Sequence, residues 1–265
     1  MKWPATITFV RHAESKYNVL GSEKKASSLY QEFKANYEQD CGRCAGAPFS
    51  PSPVTRRLAD AVRERFHLGV GDHETPLTEE GVEQARQTGV TLKSIIPLPQ
   101  AVYISPYHRT RDTRRWVGET WPEVLSVKTF WDDRLREQNH GLSLLYNDWR
   151  VFHVFHPEQK DLHDLMGPYW YTYPQGESVC DVRDRARSIT TTLTREHACQ
   201  DVLVFTHHLT ILSFRANLER LSPEQFMHLD EHEKPVNCGI TLYRGDASRG
   251  EDGRLGLEFY NKRHS

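Results

Sequence analysis

Four side chains of the kind that bind phosphoryl groups follow predicted β-strands in this sequence. Arg11 and His12 come directly after one apolar run, Arg109 lies in the polar segment after a second, and His207 follows a third. The three predicted strands are residues 7–10, 101–104 and 201–205. Because the carboxyl ends of parallel strands meet at one edge of a sheet, we expect these four side chains to converge although the sequence separates them.

The chemistry of this set suits a phosphate ester. A guanidinium group presents a planar fork that matches phosphate oxygens, so Arg11 and Arg109 would stabilise charge on a transferred phosphoryl group. One of the imidazoles of His12 and His207 can be a nucleophile if a backbone carbonyl fixes its tautomer. Glu137, which follows another predicted strand, can protonate the departing oxygen and later take a proton from water.

The elements that carry these residues alternate between strands and helices, which predicts an α/β fold with a mostly parallel central sheet. Amphipathic helices follow the strands, such as the one that Thr78 caps and that Glu79 begins. Further strands are predicted at 127–131, 240–244 and 255–260, the last two as a closing hairpin. No composition break divides the chain, so we interpret residues 1–265 as a single domain.

Two stretches interrupt the alternation of strands and helices. Residues 19–74 are polar, and we interpret them as an insertion that crosses the mouth of the sheet. Helices are predicted there at 28–37 and 55–66, with a loop rich in Gly, Pro and Ser at 41–53. Residues 142–175 form a helical subregion with many aromatic side chains, which we assign to packing and not to base stacking because no basic residues are interleaved.

Charge and hydropathy exclude several classes of protein. The 34 Lys and Arg against 36 Asp and Glu give a net charge of -2, so no global basic field attracts nucleic acid or an anionic membrane. A mean hydropathy of -0.68 and the lack of a long apolar segment exclude a spanning helix. The N-terminal apolar run is too brief for a signal peptide, and the five scattered cysteines fit reduced thiols. We therefore expect a cytoplasmic protein.

Several motifs resemble, in the same order, those of the histidine phosphatase superfamily, and more narrowly its phosphoglycerate mutase-like branch. The motifs are Arg11-His12-Ala13-Glu14-Ser15 with Asn18, Thr75-Pro76-Leu77-Thr78 followed by Gly81, Ser105-Pro106 leading to Arg109 and Thr113, Glu137, Gly176-Glu177-Ser178, and Val204-Phe205-Thr206-His207. They cover most of the chain apart from the insertion, and their order strengthens each of them. The resemblance implies a three-layer α/β/α sandwich of the phosphoglycerate mutase-like type.

The resemblance also implies roles for individual residues. It makes His12 the nucleophile that forms a phosphohistidine and Glu137 the proton donor. The phosphate pocket that it implies consists of Arg11, Asn18, Arg109 and His207. It implies no metal and no cofactor. Members of the family include mutases, which move phosphate within a sugar acid, and phosphatases, which release phosphate to water.

Departures from the mutase pattern favour a phosphatase. Mutases of this branch have an Arg and a Tyr close after the acid to grip a substrate carboxylate, whereas Gln138-Asn139-His140 follows Glu137 here. The long insertion after the nucleophile replaces a short loop and argues for a different substrate. His208 stands where a glycine commonly follows the pocket histidine, and we predict it as an additional substrate contact.

The sequence thus predicts a metal-independent phosphomonoester hydrolase that acts on a small phosphorylated metabolite through a phosphohistidine. One alternative is mutase-type phosphotransfer. Another is a non-catalytic module that binds phosphate or a phosphoprotein, which is disfavoured because nucleophile and acid are both kept. A His-rich metallohydrolase would need clustered carboxylates that the chain lacks. The sequence does not define the natural substrate or the oligomeric state.

Two weaker signals have simpler interpretations. Cys41 and Cys44 have the spacing of zinc ligands, but a structural zinc site needs four ligands, so we interpret them as two loop thiols. Glu14 follows the nucleophile segment, and we expect it to be a salt-bridge or turn partner because a proton donor must reach the leaving group.

Overall fold

The computed structural model describes residues 2–250 and 252–263. Its strands are β1 Thr6–Arg11, β2 Ala101–Ile104, β3 Thr129–Trp131, β4 Asp201–Thr206, β5 Ile240–Asp246 and β6 Arg254–Lys262. They form a six-stranded sheet in the order β3-β2-β4-β1-β5-β6, in which β1 to β4 are parallel and β5 and β6 are antiparallel additions at one edge. The predicted α/β fold with a mostly parallel sheet is confirmed.

The helices account for most of the remaining chain. They are α1 Lys16–Ala26, α2 Ser28–Arg43, α3 Pro53–Arg65, α4 Glu79–Ile95, α5 His108–Thr120, α6 Trp149–Phe155, α7 Pro157–Met166, α8 Val179–Glu196, α9 His208–Leu218 and α10 Pro223–His232. Short 3-10 turns occur at Asp72–Glu74, Pro122–Ser126, Asp133–Leu135 and Gly141–Tyr146. Among the described residues, no helix has both the length and the apolar character needed to cross a membrane.

The chain divides into two compact units. The first unit consists of Met1–Ser15, His73–Gln138 and Asp181–Ser265, and it contains the sheet with α4, α5, α9, α10 and nearly all of α8. The second unit consists of Lys16–Asp72 and Asn139–Cys180, and it contains α1, α2, α3, α6 and α7.

The two faces of the sheet are both covered in the first unit. Because successive side chains of a strand point to opposite faces, Ile7 and Phe9 of β1 pack with α8 and α9, whereas Val10 packs with α4 and α5. Helices therefore lie on both sides of a buried sheet, which gives the three layers that the resemblance implies. The same burial explains why residues 202–205 of β4 form a continuous apolar run in the sequence.

Aromatic side chains form much of the core of the second unit. The buried members of this core are Tyr30, Phe33, Tyr37, Phe49, Ala59, Val62, Phe66, Val151 and Val154. In the aromatic segment 142–175, Phe152 and Tyr171 are fully buried, as the packing interpretation predicts. Trp149 and Trp170 are exceptions, with exposed fractions of 38% and 51%.

The prediction for the end of α2 was wrong. The helix continues to Arg43, so the loop predicted from residue 41 begins later. The carboxylate of Asp40 accepts hydrogen bonds from Thr55 Oγ1 at 2.6 Å and from the Ser52 backbone N–H at 2.7 Å. These contacts tie the last turns of α2 to the start of α3, and local composition does not reveal them.

Candidate active site

The parallel pairing of β1 with β4 brings two predicted site histidines side by side. Arg11 is opposite Thr206 in the register, so His12 and His207 follow the two strands at the same level. The His12 backbone N–H donates to the Thr206 carbonyl at 3.0 Å. The two imidazole ring centroids lie 5.2 Å apart. The expected convergence at the carboxyl edge of the sheet is therefore present for this pair.

The imidazole of His12 is fixed in one tautomer. Its Nδ1 lies 2.7 Å from the carbonyl oxygen of Ala13. A carbonyl only accepts hydrogen bonds, so Nδ1 carries the proton and Nε2 keeps its lone pair. The Ala13 backbone N–H donates to Thr113 Oγ1 at 2.9 Å, and that hydroxyl donates to the Arg109 carbonyl at 2.6 Å. The segment that holds the ring is thus attached to the first turns of α5.

The second imidazole has a different kind of partner. His207 is fully buried, and its Nε2 lies 2.8 Å from the hydroxyl oxygen of Ser105. Its buried Nδ1 makes no hydrogen bond within the described part of the chain. The ring of Tyr107 stands edge-on to His207 with centroids 5.1 Å apart, and the Arg109 guanidinium lies 4.7 Å from the centroid of that same Tyr107 ring. Arg109 and His207 therefore both pack against the Tyr107 ring.

Burial, together with nearby arginine charge, lowers the pKa of both imidazoles and keeps them neutral. Burial is the main reason that the pKa of His12 lies well below its ordinary value, and the nearby charges of Arg109 and Arg11 lower it further. The pKa of His207 is also far below its ordinary value, through burial first and then Arg109. The site therefore combines two guanidinium charges with two uncharged imidazoles, and such a site attracts an anion while leaving a nucleophilic nitrogen unprotonated.

Arg11 is electrostatically linked to the predicted proton donor. Burial lowers the pKa of Arg11, the carboxylate of Glu137 raises it, and Arg109 lowers it again. Its Nη1 donates to the Pro235 carbonyl at 2.6 Å, which orients the guanidinium. Arg109 and Glu137 are therefore close enough to Arg11 for their charges to shift its pKa, and the catalytic and binding roles of these residues stay predictions.

Glu137 lies at the positive end of a helix. Its Oε1 accepts from the Leu209 backbone N–H at 3.2 Å, in the first turn of α9, and from the Gln138 backbone N–H at 3.1 Å. Amide groups at a helix start favour a carboxylate. The side chain stays partly exposed, so it remains accessible to a substrate or water.

Side chains from β4, α8 and α9 hold the loop that carries Glu137. Thr206 Oγ1 and Thr210 Oγ1 each donate at 2.7 Å, to the carbonyls of Leu135 and Arg136 respectively. Arg185 donates to the Arg134 carbonyl at 2.7 Å and to the Glu137 carbonyl at 3.1 Å. Sequence reasoning missed Arg185, because it lies on a long amphipathic helix with other basic residues and no motif marks it.

Two other residues at this site were also missed. Asn237 donates through Nδ2 to the His12 carbonyl at 3.0 Å and so helps to hold the nucleophile segment. The ring of Tyr107 contacts both Arg109 and His207. Tyr107 lies between Ser105 and Arg109 in the turn after β2, so its position was a usable signal, whereas no motif relates Asn237 to the site.

His208 and Asn18 are placed differently from the rest of the predicted set. His208 Nε2 lies 2.7 Å from Asp230 Oδ1 of α10, so its imidazole is paired with a carboxylate. His208 also contributes to the lowered pKa of His12, after burial, Arg109 and Arg11. Asn18 belongs to α1 in the second unit, and its role in phosphate binding stays a prediction.

Glu14 is a turn partner, one of the two roles expected from the sequence. Its carbonyl accepts from the Thr78 backbone N–H at 3.0 Å, and its Oε1 accepts from Thr78 Oγ1 at 2.8 Å. Thr78 in turn caps α4 by accepting from the Gly81 N–H at 2.9 Å. A Cβ at Gly81 would lie 2.1 Å from the Glu14 carbonyl oxygen. The glycine is therefore required for the close approach of α4 to the nucleophile segment.

The two cysteines with zinc-like spacing lie in the second unit. Cys41 is on α2, and burial raises the pKa of its thiol. Cys44 is the C-cap of α2, and its Sγ lies 3.8 Å from the Ser50 carbonyl. Among residues 2–250 and 252–263, no group of three or more His, Cys, Asp or Glu side chains is arranged to hold a metal ion.

Comparison with protein families agrees with this geometry. The family model of the histidine phosphatase superfamily (branch 1) matches residues 59–251, which is more than half of the chain. The chain belongs to this superfamily. The matched range begins after the Arg11-His12 segment, so the assignment does not depend on that motif, and the motif and the family match are independent observations.

Known relatives and solved structures extend the comparison. The chain is 33% identical over 135 residues to the phosphoglycerate mutase-like protein AT74H of Arabidopsis thaliana, covering 47% of this chain and 46% of that protein. It is 29% identical over 189 residues to AT74 of the same plant, covering 64% and 56%. The chain thus spans about half the length of these curated relatives.

An acid phosphatase of Mycobacterium tuberculosis is 29% identical over 137 residues, which covers 52% of this chain and 60% of that enzyme. Two solved structures share the fold over nearly the whole chain. A putative alpha-ribazole-5'-P phosphatase of Escherichia coli has a TM-score of 0.65 at 17% identity and covers 98% of this chain and 97% of its own. A mycobacterial glucosyl-3-phosphoglycerate phosphatase complexed with VO3 has a TM-score of 0.61 at 20% identity and covers 97% and 99%.

Proposed function

We propose that this protein hydrolyses phosphomonoesters of small metabolites through a phosphohistidine intermediate on His12. The observation that carries the proposal is the hydrogen bond between His12 Nδ1 and the Ala13 carbonyl at 2.7 Å. It leaves Nε2 as the unprotonated nitrogen, and the lowered pKa of this imidazole keeps it so. A nucleophile must have a free lone pair before it can attack phosphorus.

The reaction has two steps. His12 Nε2 bonds to phosphorus as the bond to the ester oxygen breaks, and a protonated Glu137 gives its proton to that oxygen so that an alcohol leaves. Glu137 then takes a proton from water, the resulting hydroxide bonds to phosphorus, and the phosphorus–nitrogen bond breaks. Phosphate and neutral His12 are the products. Arg11, Arg109 and His207 would stabilise the charge on the equatorial oxygens in both steps.

We further propose that this reaction needs no metal ion. The charge that a metal would supply can come from Arg11 and Arg109, which lie beside buried, neutral imidazoles. Guanidinium groups keep their charge when partly buried and bind phosphate oxygens in pairs. Turnover of p-nitrophenyl phosphate in excess EDTA tests this point, and its complete loss would favour a metalloenzyme.

The decisive experiment traps the intermediate. Protein mixed with a 32P-labelled phosphomonoester and quenched in alkali should retain label, and the label should be lost in acid, as expected for phosphohistidine. His12→Gln should retain none. His232→Gln is the matched control, because the side chain of His232 is 55% exposed. Label that survives acid, or that persists in His12→Gln, would reject the proposed intermediate.

Mutase activity is the competing proposal, and the residues after Glu137 argue against it. Gln138 and His140 stand where mutases of this branch carry the carboxylate-binding Arg and Tyr, and between them Asn139 Oδ1 accepts from the Gly141 backbone N–H at 2.8 Å. The backbone N–H of Asn139 donates to Glu177 Oε2 at 3.0 Å. Asn139 therefore stabilises the conformation of its own loop. Bisphosphate-dependent isomerisation of phosphoglycerate should therefore be absent.

A further inference from the structure

A cavity of about 820 Å³ lies in the first unit, away from the candidate active site. It is formed by the residue pair before β1, by one side of α8 and the turn after it, by the end of α9 and by the start of β6. The residues that line it are Lys2, Trp3, Arg187, Thr190, Thr191, Thr194, Arg195, Ala198, Asn217, Leu218, Arg220, Arg254 and Leu255. Its volume falls within the range of about 300–1,000 Å³ that is typical of small-molecule sites.

The direction of the strands separates this cavity from the catalytic residues. Trp3 precedes the amino end of β1, whereas His12 follows its carboxyl end. Likewise, Ala198 precedes the amino end of β4 and His207 follows its carboxyl end. A strand of this length spans about 20 Å at the usual rise per residue. A ligand here would not occupy the phosphate pocket, so the cavity belongs to a different site.

The interior of the cavity offers apolar surface and hydrogen-bond acceptors. Trp3 is half-buried against the core, and Leu218 and Leu255 lie beside it in the lining. The hydroxyls of Thr190, Thr191 and Thr194 each donate to a carbonyl four residues earlier on α8. Their protons are therefore used within the helix, and only their lone pairs can face a ligand.

The rim of the cavity is strongly basic. Its lining includes five Lys and Arg side chains and no Asp or Glu. Lys2 and Arg195 have carboxylate partners at 3.0 and 2.7 Å, and Arg187 has one only at 3.6 Å. Within the described part of the chain, no carboxylate lies within 4.0 Å of Arg220 or Arg254, and both side chains are exposed. Two guanidinium groups are therefore available to an anion.

We propose that this cavity binds a nucleoside phosphate. The flat heterocycle would pack on Trp3, and its amino or hydroxyl donors would meet the threonine oxygens. The phosphate would bind to Arg220 and Arg254, because guanidinium pairs match phosphate oxygens. A plain inorganic anion would leave the apolar surface unused, and an uncharged nucleoside would leave the arginines unused. Only a molecule with both parts fills the site.

Isothermal titration with adenosine 5'-monophosphate tests the proposal on the full-length His12→Ala protein, which should not consume the probe. Adenosine and inorganic phosphate are titrated in parallel. We expect adenosine 5'-monophosphate to bind at least tenfold more tightly than either fragment. Arg220→Ala/Arg254→Ala in the same background should weaken it at least tenfold, and Trp3→Leu should weaken it as well. Arg56→Ala/Arg57→Ala is the matched control, because it removes the same charge from two exposed residues of α3.

Several results would overturn the proposal. Binding that is lost in Arg109→Ala but kept in Arg220→Ala/Arg254→Ala would place the probe in the phosphate pocket. Equal affinity for inorganic phosphate would show that the apolar surface takes no part. No measurable binding of the probe at millimolar concentration would also reject it. These outcomes are independent of the phosphohistidine trap, so either proposal can fail without the other.

Discussion

The imidazole rings of His12 and His207 lie 5.2 Å apart between centroids and are inclined by 59° to each other. Their hydrogen-bond partners differ in kind. The carbonyl that faces His12 fixes one tautomer, whereas the Ser105 hydroxyl that faces His207 can either donate or accept. In the proposed reaction, His207 takes up a proton only with a bound phosphate dianion, whereas His12 stays neutral as the nucleophile. We therefore propose different roles for two residues of the same type.

Replacement of the proposed nucleophile should remove turnover without removing the anion site. We expect His12→Ala to lower kcat for p-nitrophenyl phosphate by about 10⁴-fold or more, as loss of a nucleophile does in other enzymes. Phosphate binding should weaken but stay measurable, because Arg11 and Arg109 remain. The exposed His232→Ala variant should keep full activity. Substantial turnover in His12→Ala would exclude His12 as the nucleophile.

Removal of the proton donor should depend on the substrate. Glu137→Gln should slow hydrolysis of an alkyl phosphate by about 10²–10⁴-fold, the usual contribution of general acid catalysis. p-Nitrophenyl phosphate should be affected much less in its first step, since p-nitrophenolate leaves without a proton. Single-turnover rates for a series of leaving groups measure this difference. An equal loss for every leaving group would contradict the role of Glu137.

The bond between Ser105 and His207 should contribute to stability. Ser105→Ala leaves the buried His207 Nε2 without its 2.8 Å partner, and we expect a loss of about 1–3 kcal/mol in the free energy of unfolding. Ser213 provides the control, because it is also fully buried but its hydroxyl has no hydrogen-bond partner in the described part of the chain. Urea titrations measure both variants. If Ser213→Ala lowers the free energy of unfolding as much as Ser105→Ala does, the hydrogen bond to His207 is not the cause of the loss.

Stability should decrease in mild acid because buried imidazoles stay neutral in the folded state. Burial, with nearby charges, lowers the pKa of His153 to about 3 and sets those of His12 and His207 well below the ordinary value. Below about pH 6.5 these three imidazoles bind protons in the unfolded chain but not in the folded chain. Each of them therefore lowers the free energy of unfolding by about 1.4 kcal/mol per pH unit as the pH falls. This stability is complete above that pH and is lost as the pH falls.

Urea titrations in phosphate-free buffer between about pH 7 and about pH 5 measure this dependence. His153→Gln should have a shallower pH dependence than the wild type by the contribution of one imidazole. If the two proteins lose stability in parallel, His153 does not stay neutral in the folded state.

Replacement of two helical glycines, Gly81 and Gly21, by alanine should have opposite effects on stability. Gly81→Ala places a Cβ 2.1 Å from the Glu14 carbonyl oxygen, so we expect a loss of about 1–3 kcal/mol and slower turnover as the nucleophile segment shifts. Gly21 of α1 has no atom within 4 Å of such a Cβ. Gly21→Ala should therefore gain about 0.5–1 kcal/mol from helix propensity. A stable, fully active Gly81→Ala protein would show that the close approach is not needed.

The sequence by itself determined the elements and the types of residue that could do chemistry. Apolar runs such as 202–205 predict buried strands because both faces of a parallel sheet are covered, and the polar residues after them predict the functional edge. Arg11, His12, Arg109, His207 and Glu137 were predicted as site residues in this way. The helix predicted over 28–37 ends at Arg43 instead, and this end depends on a contact between Asp40 and α3 that local patterns do not contain.

Only the tertiary structure decided how these residues are held and which partners they have. The tautomer of His12 depends on a carbonyl orientation, and the support of the Glu137 loop depends on Arg185, which is distant in the chain. The pairing of His208 with Asp230 and the basic cavity beside Trp3 likewise join segments with no local signal. Periodicity reports which face of an element is buried, whereas hydrogen bonds between distant segments depend on the exact packing of the chain.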